Sequence, residues 1–453
     1  MARSFLAVIL LSLAAAAQPQ PPQSAQPPQP LQPPQSVQPL TLDQAVQIAL
    51  QRNPDLQKQV LTQLSSEQDR VIARGAILPR LDFNASVSRT RVGPGDVVVN
   101  NGLTIPGQPL AFINQYNGSI TLQQLIFDGG KWWNNIAASN LTSDANRALV
   151  DEQRLQIAYL VEQRFYELVR AQRQLAVFAD AARRSRDQAD FTQRLFDGGR
   201  ATQADVYAAR ANRDNDEITR LGQERTVELA RADLAVAVGV DPSEPLNVVE
   251  PQGMMAEPAQ PPPARDAVDV ALSKRPSLKA AALTVESNRK LSSAAAGAYW
   301  PQVSLFGQYS RGVTDVAQIT SSPGSNSQLT GAVNLTWNLF EGLTTKANVE
   351  KADIQVAISQ SDLESGRRNV ASDVQKAVAQ LSAARAQARV AQQGLGTAQE
   401  GLRLARTRQE VGVGTQLEVR DAELKLTQAQ LSVVGSLVDG REAEAALHRA
   451  QGG

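Results

Sequence analysis

The 453-residue sequence contains no cysteine, a single histidine (His448), three methionines and only 4% aromatic residues. Without cysteine there is no disulfide framework and no thiol nucleophile. One histidine on a polar C-terminal stretch cannot build a His-based zinc site or triad, and it reads as a solvated surface residue. No convergent set of carboxylates takes their place, so an enzyme is the least supported class and no cofactor or metal is expected. An excess of one charge is missing too: Lys plus Arg equals Asp plus Glu at 45 each, with no basic tract, which argues against nucleic acid. Beyond residue 17, no apolar run approaches the ~20 residues of a membrane-spanning helix, so any membrane crossing must be made by a β-barrel.

The one short apolar run, Phe5 to Leu13, follows Arg3 and leads into small residues up to Ala17. This pattern predicts a signal peptide over residues 1–17 and an exported protein. Residues 18–39 are almost entirely Pro and Gln, a composition that cannot bury a core and predicts a mobile tail. Order is expected from residue 40, where Thr41-x-x-Gln44 is a capping-box pattern.

What the chain has in abundance is repetition. GSITLQQLIFDGGKWWNNIAASN begins at Gly118 and GAVNLTWNLFEGLTTKANVEKAD at Gly331; Phe127 matches Phe340 and Gly129 matches Gly342, each 213 residues on. Upstream the offset is 222, since Pro54 in RNPDL matches Pro276 in KRPSL and Pro79 matches Pro301. The difference of nine residues (222 − 213) falls between Arg89 and Gly118, a Gly/Pro/Asn-rich stretch read as a surface loop. Two repeats, 40–239 and 264–453, thus flank a Pro-rich linker, 240–263.

Each repeat holds two segments of alternating polarity. Leu81, Phe83, Ala85 and Val87 alternate with Asp82, Asn84, Ser86 and Ser88, and Val333, Leu335, Trp337 and Leu339 alternate with Ala332, Asn334, Thr336 and Asn338. Such strands suit either a soluble sandwich or a barrel wall. Their length, about ten residues, suits a tilted bilayer crossing. Trp132, Trp133, Tyr299, Trp300 and Trp337 lie at strand ends, where an interface places aromatics, although ordinary core roles would also use them.

After Gly130 the chain runs to Asp197 without Pro or interior Gly, about 100 Å of helix at 1.5 Å per residue. A heptad seam is visible in the rows Val161, Leu168, Leu175, Ala182 and Ala158, Phe165, Gln172, Ala179. Chain reversals follow at Gly199 and Gly412. Thr202 with Asp205 and Thr415 with Glu418 are then expected to complete capping boxes on two returning helices of about 54 Å. The expected wall sets each long helix beside two shorter ones stacked end to end, the second coming from the opposite repeat.

On these residues, LDQAVQIALQRNPDL, LIFDGG, NLFEGL and the two Gly-x-x-Thr reversals, in order and twice, the mature chain from Leu40 resembles the TolC-like outer membrane efflux family. The resemblance implies a mainly α protein with a small membrane β-barrel portion. Each chain would supply two repeats of long coiled-coil helices plus a β-hairpin, and a homotrimer would complete a twelve-stranded barrel in outer membrane lipid. It implies an exit duct joined to a periplasmic adaptor protein and an inner membrane pump of RND or ABC type, for efflux or type I secretion. By the same resemblance Asp205, Glu418 and Asp421 are gate candidates, and Gly199, Thr202, Gly412 and Thr415 are adaptor-contact candidates. Relatives often carry an acylated Cys after the signal peptide, and a Tyr and an Arg at the positions of Gln409 and Gly414 that help hold the tunnel shut. This chain has no such Cys, and Gln409 and Gly414 in place of the Tyr and Arg imply a looser closure. The alternative reading is an exported coiled-coil scaffold or periplasmic adaptor, which leaves the amphipathic strands unexplained.

Overall fold

A computed structural model describes residues 40–94, 98–100, 103–105, 111–243, 246–319 and 326–453. The expected signal peptide and Pro/Gln tail lie outside the described residues. Helix α1 (Leu42–Arg52) starts at the expected capping box of Thr41 and Gln44. Helix α2 (Pro54–Gly75) starts at Asn53, whose carbonyl Oδ1 accepts the N–H groups of Asp55 and Leu56. Strand β1 (Arg80–Val92), a short antiparallel ladder of β2 (Val98–Asn100) and β3 (Leu103–Ile105), and β4 (Ala111–Phe127) follow. The stretch read as a loop is therefore partly strand, because β1 and β4 extend the hairpin beyond Arg89.

Then come α3 (Lys131–Asp197, 67 residues) and α4 (Gln203–Val238, 36 residues). The second repeat gives α5 (Ala264–Lys274), α6 (Pro276–Ala296), β5 (Gln302–Val313), β6 (Ser327–Thr336), α7 (Thr344–Glu410) and α8 (Gln416–Gln451). The bounds of α7 and α8 are those of α3 and α4 moved by 213 residues. The alternation seen in sequence as far as Leu339 outruns its strand, since β6 stops at Thr336.

The strands form one antiparallel sheet in the order β1-β4-β5-β6. Its register puts Phe83 opposite Ile120, Ile120 opposite Tyr309 and Tyr309 opposite Leu329. The sheet's other face carries Asp82, Thr121, Gln308 and Thr330 in one row. The apolar face packs on nothing among the described residues: Phe83 is 73% exposed and Leu329 83%.

The buried core lies in the helices. In repeat one, Val161, Phe165 and Leu168 of α3 meet Leu234 and Val238 of α4 and Ala45 and Ala49 of α1. In repeat two, Val374 and Leu381 of α7 meet Leu447 of α8 and Ala267 and Ala271 of α5. Of the expected heptad row, Val161, Leu168 and Ala182 are buried and Leu175 is half-buried; in the second copy Val374, Leu381 and Ala388 are buried and Leu395 is half-buried. Its expected companion row is buried only at Phe165: Ala179 is exposed, and Ala158 and Gln172 are half-buried. The buried companions sit three residues after the first row, at Ala171, Ser185 and Thr192 and again at Ala377, Ala384 and Ala405. Small side chains there let the helices approach closely, which a search for large apolar residues overlooks.

Short-helix ends meet returning-helix ends within one repeat rather than across repeats. Asn53 touches the end of α4 and Arg275 the end of α8. The linker then crosses the helices as a strap. Met254 is buried in the first core, Glu250 pairs with Arg173 of α3, and Glu257 bridges Arg385 and Arg389 of α7 at 2.9 and 2.8 Å.

Candidate functional sites: the helical tips and the aromatic collar

Two tips close the hairpins. Gly199 (φ +71°) and Gly412 (φ +81°) take the left-handed conformation that ends a helix without a Cβ clash. Thr202 then caps α4 through a complete box: Asp205 N donates to Thr202 Oγ1 at 3.2 Å, and Thr202 N donates to Asp205 Oδ2 at 2.9 Å. Those hydrogen bonds from the Thr202 side chain and backbone hold the Asp205 carboxyl below its ordinary pKa. At the second tip only half of the expected box forms. Glu418 N donates to Thr415 Oγ1 at 3.2 Å, but the Glu418 carboxylate turns away to Arg408 at 3.3 Å. Arg408 outcompetes the Thr415 amide because its charge and reach both favour the carboxylate. Asp421, one turn on, pairs with Lys425 at 2.7 Å. Glu418 and Asp421 both line one groove between α7 and α8.

The tips are also tied to each other. Gln416 Nε2 donates to the Asp205 carbonyl at 3.3 Å, and Gln188 Nε2 of α3 donates to Gln409 Oε1 of α7 at 3.3 Å. Gln409 thus makes a cross-hairpin contact of its own. At Gly414 a Cβ would lie 2.9 Å from both Arg408 Cβ and Gln409 N, so this turn has no room for an Arg.

Sequence reasoning missed the strongest ties. Arg420 of α8 holds Asp216 of α4 through two bonds of 2.6 and 2.8 Å, with side chains 18% and 15% exposed. The hydrogen bonds it donates to the Asp216 carboxylate keep the guanidinium pKa raised. Arg406 pairs with the buried Glu423 at 2.9 Å, and Arg184 Nη2 donates to Thr427 Oγ1 at 3.0 Å. Arg420 with Asp216 and Arg184 with Thr427 join different repeats, and Arg406 with Glu423 joins two helices of one repeat across its reversal, all at spacings that no periodic signal marks.

The five aromatics gather at the helix end of the sheet. Trp132 and Trp133 stack at 3.9 Å just after β4, Tyr299 and Trp300 precede β5, and Trp337 follows β6. Trp337 Nε1 donates to the Tyr299 carbonyl at 3.1 Å. Trp133, Tyr299, Trp300 and Trp337 are exposed while Trp132 is half-buried, so the core reading fits only Trp132.

An amphipathic sheet with an outward apolar face, an aromatic collar and long helical hairpins define a mainly helical outer membrane channel protein of TolC-like fold. The chain belongs to the outer membrane efflux protein family, whose profile it matches over residues 45–240 and 267–453. It is 22% identical over 412 residues to the outer membrane efflux protein BepC of Brucella suis, covering 91% of this chain and 85% of BepC. It is 23% identical over 394 residues to the alkaline protease secretion protein AprF of Pseudomonas aeruginosa, covering 84% and 78%. Its fold superposes on the crystal structure of CusC with a TM-score of 0.80 at 18% identity, covering 91% and 92% of the two chains.

Proposed function

We propose that three copies of this chain form the exit duct of an envelope-spanning efflux or type I secretion assembly, a passive conduit with no catalytic step of its own. The observation that carries this reading is the four-stranded sheet. Its apolar face is solvent-exposed in the protomer, and β1 and β6 have no outer neighbour among the described residues. Free strand edges in lipid leave backbone groups unsatisfied, so β1 of one copy pairs with β6 of the next until the sheet closes, at twelve strands for three chains. The collar of Trp133, Tyr299, Trp300 and Trp337 then sits at the membrane boundary, with the helices in the periplasm.

Residues 1–17 act as signal peptide, 40–239 and 264–453 as the two repeats, and 240–263 as the equatorial strap. Energy comes from an inner membrane pump of RND or ABC type, reached through a periplasmic adaptor that grips the tips at Gly199, Thr202, Gly412 and Thr415. Glu418, Asp421 and Asp205, each present three times around the axis, make the tip cation-selective. The duct test is the native mass of the detergent-extracted protein with its conductance in planar bilayers. A three-chain mass with discrete conductance supports it, and a non-conducting single chain overturns it. Glu418→Ala/Asp421→Ala is expected to lower cation selectivity and relieve trivalent-cation block. No change in either leaves the two acids as helix cap and surface charge.

A further inference from the structure

The sheet carries very little charge, and what it carries is placed unevenly. Its four strands hold five charged residues: Arg80, Asp82, Arg89 and Arg91 in β1 and Arg311 in β5. Arg80 and Asp82 lie at the helix end, on the polar face, and pair with each other at 2.8 Å. The remaining three are all arginines at the far end.

The register decides which way those three face. Arg89 and Arg91 continue the row of Leu81, Phe83, Ala85 and Val87, so they lie on the apolar, outward face. Arg311 is opposite Gly118, which is opposite Ala85, so it shares that face with Tyr309 and Val313. Arg89 and Arg311 are also the same position in the two repeats (311 − 89 = 222), and each lies nine residues into its strand (89 − 80 and 311 − 302). Nine residues are about 30 Å of strand, comparable once tilted with the ~25 Å apolar band of a membrane barrel. Arg89 and Arg91 are exposed, and the Arg89 guanidinium stands 4.7 Å over the ring of Phe112, a neighbour on the same face. No carboxylate of the sheet answers these charges, since Asp82 is on the other face. Asp315, just beyond β5, accepts the Ala317 N–H at 3.0 Å within its own turn.

We propose that Arg89, Arg91 and Arg311 bind the phosphate groups of anionic lipid headgroups in the membrane leaflet remote from the helices. This rests on the barrel reading above. An outward guanidinium has no solvation in hydrocarbon, so it reaches for the boundary where the apolar band ends. There its planar fork meets a phosphate with two parallel hydrogen bonds. Asn114, opposite Arg89 on the same face, brings an amide to the same place. Repeat one supplies a pair of arginines and repeat two a single one, because the position matching Arg91 is Val313 (313 − 91 = 222). At the other boundary the exposed groups are Trp133, Tyr299, Trp300 and Trp337. The chain thus marks its two membrane boundaries with different chemistry, aromatic rings toward the helices and guanidinium groups away from them.

The test uses the detergent-extracted protein and native mass spectrometry, which reads chain number and bound lipid in one spectrum. The probes are a diphosphorylated, multiply acylated glucosamine disaccharide (lipid A), its dephosphorylated form, and inorganic phosphate as competitor. Wild type is expected to retain the diphosphorylated glycolipid, and Arg89→Gln/Arg91→Gln/Arg311→Gln to retain at least about tenfold less, the scale of lost charge-assisted hydrogen bonds. Lysine at the three positions keeps the charge without the fork, and its retention is expected to fall between. The dephosphorylated glycolipid is expected to bind wild type no better than the phosphorylated one binds the Gln variant. Equal retention of the phosphorylated glycolipid by wild type and the Gln variant overturns the site. Displacement by inorganic phosphate overturns it too, in favour of a free-anion site. Chain number reports separately on the barrel. A three-chain mass with equal retention removes the lipid site and leaves the duct standing, whereas a single-chain mass removes the duct reading on which the site rests.

Discussion

Asn53 and Arg275 hold the same place in the two repeats and reach the same carbonyl: Asn53 Nδ2 donates to Ala237 O at 3.2 Å, and Arg275 Nη1 donates to Ala450 O at 3.2 Å. Each joins a short helix to the end of a returning one. Asn53 also caps its own helix, which an Arg cannot do. In repeat two Glu152 of α3 supplies the missing acceptor, taking the Ser277 N–H at 3.2 Å and the Arg275 guanidinium at 2.8 Å. The second repeat has traded a neutral cap for a buried ion pair, 6% and 7% exposed.

Arg275→Ala is therefore expected to destabilise the chain by about 3–5 kcal/mol, because it leaves the Glu152 charge buried and alone. Arg275→Asn/Glu152→Gln, which copies repeat one, is expected to recover most of that loss. Burial raises the Glu152 pKa, but the Arg275 hydrogen bond and charge outweigh it and hold it below 4.5. The pair's stabilisation is thus present above the unfolded-state carboxylate pKa and is lost as pH falls through the lower folded value. Thermal unfolding of wild type and variants in detergent from pH 3 to 7 checks both statements. An Arg275→Ala midpoint equal to wild type at pH 7 would sink them.

Glu162 of α3 has the opposite sign. Burial, with Asp43 as a like charge nearby, pushes its carboxyl above the ordinary 4.5. An acid with a raised folded pKa favours the native state while protonated, and that contribution disappears as pH rises through the folded value. Glu162→Gln is accordingly expected to raise the melting temperature at pH 7 and to make little difference at pH 4. A gain that is larger at pH 4 contradicts this assignment.

At the collar, Leu343 adopts a left-handed conformation (φ +69°) at the position where repeat one has Gly130 (φ +84°). A branched residue there costs roughly 1–2 kcal/mol. Leu343→Gly is expected to raise thermal stability in detergent by about that amount. Leu343 is 68% exposed and lies close after Phe340, which is 80% exposed, so the same change is expected to weaken retention in lipid vesicles. Equal retention would remove any membrane role for this side chain.

The helices, their reversals and their 213-residue repeat were legible in the sequence because Gly, Pro and Thr-x-x-acid punctuate them locally. Strand polarity was legible for the same reason: alternation is a local pattern. The second capping box was misread because Arg408, ten residues before Glu418, competes for its carboxylate only once the hairpin is folded. The companion heptad row was misread at every position but Phe165 because Ala171, Ser185 and Thr192 carry no hydropathy signal. The tip cluster was invisible because Asp216 and Arg420 meet only through the packing of one repeat on the other.

That cluster supports the last prediction. Arg420 and Asp216 are half-shielded and bidentate, so their pair lies between an exposed bridge, worth under about 1 kcal/mol, and a buried one whose breakage costs about 3–5 kcal/mol. Replacing Arg420 by Ala frees the α8 hairpin from α4 and leaves Asp216 facing Glu423 and Arg184 across a cavity that all three line. The expected outcome is a higher single-channel conductance at the tip and more frequent open events, with Asp216→Ala showing the same direction. Charge reversal, Arg420→Asp with Asp216→Arg, distinguishes a tie from a packing defect. The two side chains keep opposite signs across the same gap, so the swapped pair is expected to return conductance most of the way to wild type. Each reversed single variant sets like charges against each other and is expected to be the most open of the series. If the single alanine variants conduct as wild type does, the pair supports helix packing only and the tip is closed by other contacts. If they open and the swap fails to restore closure, the guanidinium's bidentate geometry, rather than its charge, holds the hairpins together.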